Sequence, residues 1–94
     1  MQINSISDLR KAFRNGPYAW PGGYPCYFVL SDGEALSFAA ARPNLRYMLE
    51  SLRDYQTNRR EHSGWRPVAL EINYEDTDLY CAHTGEQIES AYGE

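Results

Sequence analysis

Apolar positions along the chain change period several times, and each change marks an element. Ile6, Leu9, Ala12 and Phe13 recur at helical spacing, which predicts an amphipathic first helix. Ser5 or Ser7 can cap it, and Asp8 stands three residues after Ser5, as in a capping box. Asn15-Gly16-Pro17 stops the helix. Cys26-Tyr27-Phe28-Val29-Leu30 has the β-branched and aromatic content of a strand. Asp32-Gly33 follows as a hairpin turn, and residues 34–38 alternate polar and apolar as the returning strand. Pro43 suits the first turn of a second long helix. There Leu45, Met48, Leu49 and Leu52 form an apolar stripe opposite Arg46, Glu50, Arg53 and Asp54, and the helix should end near Asn58.

A polar loop over residues 58–64 then leads to a strand over 65–73. Val68, Leu70 and Ile72 fall on one of its faces, Ala69 and Glu71 on the other. Pro67 near its start predicts an edge position. An acidic turn over 74–78 precedes a last hairpin, 79–82 with 86–89, around His83-Thr84-Gly85. The predicted order is α-β-β-α-β-β-β with mostly hairpin connections. It implies an α+β fold: an antiparallel sheet of about four to five strands with two helices packed on one face.

The chain has 94 residues, which predicts one domain over residues 1–94. Its composition, 43% hydrophobic and 23% charged, excludes a disordered chain, a collagen-like chain and a coiled coil. No apolar run approaches the ~18 residues that a membrane span needs. The start, Met1-Gln2-Ile3-Asn4-Ser5, has neither the basic nor the apolar part of a signal peptide, so the expected location is the cytoplasm. Cys26 and Cys81 are then expected to be free thiols, unless the fold brings them together as a single disulfide.

Charge changes this picture. The net charge of −4 conceals a split: residues 71–94 hold seven acids and no Lys or Arg, whereas residues 1–70 hold six acids against nine bases. Such asymmetry marks either a solvated acidic surface or a patch that meets a basic partner. The candidate patch is Glu71, Glu75, Asp76, Asp78, Glu86 and Glu89. A second candidate lies between Pro17 and Pro25, where three Pro and two Gly share nine residues with Tyr18, Trp20 and Tyr24. That composition opposes regular structure. The rings either fold back as a lid on the core or are displayed as an aromatic contact loop.

Other chemistries are weaker. Cys81-Ala82-His83-Thr84-Gly85-Glu86-Gln87-Ile88 resembles half of a zinc knuckle, but Thr84 stands where the second cysteine would be. Cys26, His62, Cys81 and His83 supply no second closely spaced pair. No metal or cofactor is therefore expected. Cys81 and His83, two apart on a predicted strand, would share a face and could serve a small thiol- or metal-dependent enzyme, although no local motif supports one. Arg42, Arg46, Arg53, Arg59, Arg60 and Arg66, with Tyr47, Tyr55 and Trp65, have the residue types of a nucleic-acid surface. Acids interleave with them and the pI is near 5.1, so direct nucleic-acid binding is not expected.

Three segments, residues 18–25, 31–38 and 81–93, together resemble small acidic orphan proteins encoded by phages and mobile elements of bacteria. Anti-CRISPR proteins, inhibitors of type I surveillance complexes among them, belong to that group. The resemblance implies a stoichiometric, non-enzymatic inhibitor that sits on a DNA-binding surface. It carries no site residue over. The expectation is thus a protein-binding inhibitor whose acidic C-terminal third occupies a cationic groove in the manner of a DNA mimic. The alternatives are the small enzyme at Cys81 and His83, and a generic regulatory binding module.

Overall fold

The computed structural model describes residues 1–57 and 64–92. Of the predicted polar loop over 58–64 only Gly64 lies within these residues, while the helix expected to end near Asn58 ends at Gln56. The elements are α1 (Ile6–Asn15), β1 (Tyr18–Ala19), β2 (Tyr24–Leu30), β3 (Ala35–Leu36), α2 (Phe38–Ala41), α3 (Leu45–Gln56) and β4 (Pro67–Ile72). This is an α+β fold on a four-stranded antiparallel sheet.

Local chemistry sets the helix ends. Ser5 Oγ accepts from the Asp8 N–H at 3.1 Å, and Asp8 Oδ2 in turn accepts from the Asn4 N–H at 3.0 Å. The first bond satisfies an orphan donor of the α1 N-terminus, and the second ties the residue before the cap to the first turn. Gly16, at φ 83°, closes the other end with its N–H on the Ala12 carbonyl. In α3 the apolar stripe turns inward as its period requires: Met48 and Leu52 are buried, and Leu45 and Leu49 pack against the core.

β2 is the central strand. It pairs with β4 from Cys26↔Ile72 to Leu30↔Pro67, with a register shift between Val29 and Leu30. Its other side pairs with β1 at Tyr18↔Pro25 and with β3 at Phe28↔Leu36. Cys26, Phe28 and Leu30 are buried, and Phe28 meets Phe38 and Phe13 at ring separations of 4.7 and 5.3 Å. That aromatic cluster joins the sheet to α1 and α2.

Four expectations need correction. The returning strand stops at Leu36, because Ser37 caps α2 through its hydroxyl, which accepts from the Ala40 N–H. A third, short helix thus replaces the end of the predicted strand. The Pro- and Gly-rich stretch contains β1, since Gly22 at φ 110° and Gly23 at φ 68° allow the chain to reverse tightly enough to pair. β4 is not an edge: Ile3 donates to the Val68 carbonyl and Leu70 to that of Met1, so the N-terminal segment flanks it. Pro67 is tolerated as the first residue of the strand, beside the register shift. The last hairpin is reduced to one bridge, Tyr80↔Gln87, with Cys81 N–H to the Glu86 carbonyl and Ile88 N–H to that of Leu79.

Candidate protein-binding surface

The aromatic loop and the acidic C-terminal third, far apart in sequence, meet in space. Tyr18 reaches across and donates its hydroxyl to Glu89 Oε1 at 2.8 Å. That hydrogen bond, reinforced by the carboxylate's charge, pushes the Tyr18 phenol above its ordinary pKa. Tyr24 packs its ring against Tyr74 at 5.4 Å and Tyr92 at 6.0 Å, and the Tyr92 hydroxyl donates to that of Tyr24 at 3.1 Å. The Tyr92 phenol is raised chiefly by that bond.

Trp20 stands at the tip of the β1–β2 hairpin and is 76% exposed. Its ring lies over Gly23, where an added Cβ would come within 3.3 Å of Cη2. Trp20 is thus displayed, whereas Tyr18 and Tyr24 are half-buried, so the two expected arrangements divide among the three rings. The same hairpin walls a cleft of about 430 Å³ with Tyr18, Trp20, Cys26, Leu70 and Ile72 in its lining.

All six acids of the predicted patch are exposed. Glu71 lies on β4 opposite Tyr27, whose phenol is raised first by burial and then by the charges of Glu71 and Asp76. Glu75, Asp76 and Asp78 occupy the turn after β4, where Asp76 Oδ1 accepts from the Asp78 N–H. Glu86 and Glu89 line one shallow cleft of about 170 Å³ together with Tyr18. The acids thus form a band that starts on the sheet, runs through the turn and ends beside the aromatic hairpin.

Asn73 holds that band together, and sequence reasoning missed it. Its buried Nδ2 donates to the carbonyls of Asp76, Ile88 and Glu89 at 3.0, 3.4 and 3.1 Å, while Oδ1 accepts from the Asp76 N–H. The Ala91 and Tyr92 N–H groups then bond the carbonyls of Asn73 and Tyr74. The signal was an Asn at a strand end before an acidic turn, a position that favours side chain to backbone bonding. Tyr74 and Tyr92 carried no signal beyond ring content.

Cys81 and His83 do not share a face. Cys81 is 1% exposed, and its Sγ accepts from the Ser37 N–H at 3.5 Å. His83 is exposed, with its ring 5.4 Å from Trp65. They part because residues 82–84 form a turn and not a strand. Burial works to raise the Cys81 thiol, but hydrogen bonds from Ser37 and Thr84 outweigh it and lower it to about 7. Both cysteines are buried and unpaired with each other. Among the described residues no group of three or more His, Cys, Asp or Glu could hold a metal ion; His62 lies outside them.

The arginine and aromatic types of the middle of the chain do associate. Arg46 lies 5.3 Å from the Tyr47 ring centre, Arg66 lies 4.1 Å from that of Tyr55, and Tyr47 meets Trp65 at 5.7 Å. Arg59 and Arg60 lie outside the described residues. No helix among the described residues is long and apolar enough to cross a membrane. Compared with family models, curated proteins and solved structures, the chain matches none.

Proposed function

We propose that this chain is a non-enzymatic protein-binding module, an inhibitor whose acidic and aromatic surface occupies a cationic groove built for nucleic acid. The observation that carries the reading is the Tyr18–Glu89 hydrogen bond, which makes the displayed hairpin and the acidic band one continuous surface. Exposed Trp and Tyr supply contact area with a polar end, and acids beside them supply charge complementarity and steering. The acids stand in for phosphates. The resemblance to small phage-encoded proteins adds a host: a bacterial defence complex such as a type I CRISPR surveillance complex. The burial of Cys81 speaks against the alternative of a thiol enzyme, since a catalytic thiolate must reach substrate.

The test is affinity capture from a bacterial lysate with three baits: wild type, Trp20→Ala, and the Glu75→Lys/Asp76→Lys/Asp78→Lys triple variant. Wild type is expected to enrich a nucleic-acid-binding protein with a basic surface, and both variants to lose it while staying folded. Equal enrichment by the triple variant would reduce the acidic band to a solvated surface and end this reading.

A further inference from the structure

A further cleft is lined by none of the six acids of the band. It holds about 200 Å³, with the buried Leu30 and Leu36, the rings of Trp65 and His83, and the carboxylates of Asp32 and Glu34 in its lining. The Trp65 and His83 rings meet edge to face at 64°, and Tyr47 extends the row beyond Trp65. Asp32 Oδ1 accepts from the Glu34 N–H at 3.0 Å, which fixes that carboxylate's orientation; its other oxygen lies beside Gly64. None of the described residues lining this cleft is Lys or Arg.

Ring faces next to carboxylates over an apolar floor favour one class of ligand, an organic cation. Between the two that proteins carry, guanidinium fits better. It is flat, stacks on rings, is weakly hydrated and pairs with a carboxylate through two parallel bonds, whereas ammonium is a compact and strongly hydrated charge. The geometry points to a binding site for an arginine side chain, presented by a partner, against the Trp65 and His83 ring pair with Asp32 and Glu34 as its counter-charges. That the cation comes from a basic partner rests on the function proposed above; the chemistry of the cleft does not. The carboxylates come from the β2–β3 turn, and His83 comes from the same terminal hairpin that carries Glu86. An arginine here would anchor one end of a segment lying along the acidic surface.

The full chain is titrated with N-acetyl-arginine amide, with its lysine counterpart and with the neutral citrulline counterpart, following the side-chain NMR signals of Trp65 and His83. The arginine compound should shift both saturably, and the other two should bind at least ~10-fold more weakly. The Asp32→Asn/Glu34→Gln variant keeps the Oδ1 acceptor, so it should melt like wild type and bind the arginine compound at least ~10-fold more weakly. The Glu75→Lys/Asp76→Lys/Asp78→Lys variant should bind it as wild type does, which separates this site from the acidic band. No saturable shift, equal binding of citrulline, or equal loss in the triple-Lys variant would overturn the proposal. So would tighter binding in an Arg59→Gln/Arg60→Gln variant, because the cleft's occupant would then be an arginine of this chain.

Discussion

At Asn73 a buried amide donates to the carbonyls of Asp76, Ile88 and Glu89 and accepts from the Asp76 N–H, so one side chain ties the acidic turn to the last segment. Removing it strands buried acceptors, each at the cost of desolvation. Asn73→Ala should therefore destabilise the protein by about 2–3 kcal/mol. In a domain of this size that lowers the melting temperature by roughly 10–20 °C in thermal denaturation. Asn73→Asp keeps the acceptor, loses the donors and adds a buried charge among acids, so it should be no better at neutral pH. Cys81 makes a different prediction. Its thiol titrates at about 7 in the fold against 9.0 ordinarily, so between those values the unfolded chain holds a proton that the native one has lost. Stability from this group is present above pH 9, declines as pH falls, and is gone below pH 7. Denaturant titrations across that window should show wild type gaining on Cys81→Ala as pH rises. A pH-independent gap between the two would show that the sulfur is held as a thiol.

The hairpin of β1 and β2 depends on its two glycines. An added Cβ at Gly22, where φ is +110°, would fall 2.6 Å from Tyr24 Cε2. Gly22→Ala should cost about 1–2 kcal/mol through backbone strain and should also push Tyr24 off Tyr74 and Tyr92, lowering partner affinity. Trp20→Ala should separate the two effects. With the ring mostly in solvent, its melting temperature should stay within ~2 °C of wild type while binding falls. A large drop in melting temperature would return Trp20 to the role of a lid. Periodicity made α1, β2, α3 and β4 legible, because the first three bury one face and β4 half-buries one, and that face shows in the spacing of Leu9, Phe28, Met48 or Leu70. β1 and α2 were not legible. β1 needs Gly φ values that composition reads as disorder of structure, and α2 begins where Ser37, read as a strand residue, serves as a cap. The six acids were legible as charge, and their exposure follows from their type. Their union with Tyr18 through Glu89, and with Tyr24 through Tyr74 and Tyr92, is made by tertiary contacts between distant parts of the chain, which spacing along a chain does not encode.

At the scale of the molecule, charge is segregated and the segregation should set how it binds. Residues 71–94 carry acids with no Lys or Arg among them, and the band they form turns toward solvent. Acids so placed repel one another and contribute little to folding, so reversing three of them should leave the melting temperature nearly unchanged. On the proposed reading their contribution would appear only against a cationic surface, where acids speed encounter and fix register. Screening shortens that reach to about 10 Å at roughly 0.1 M salt. Affinity for the captured partner, measured by surface plasmon resonance over a salt series, should fall as salt rises, mainly through the association rate. The Glu75→Lys/Asp76→Lys/Asp78→Lys variant should lose both the affinity and most of the salt dependence. Nucleic acid that fills the same groove should displace wild type competitively, since phosphates and these carboxylates would occupy the same cationic positions. Binding that ignores salt and adds to nucleic acid without competition would place the contact on the aromatic hairpin alone, with the acids as a bystander surface.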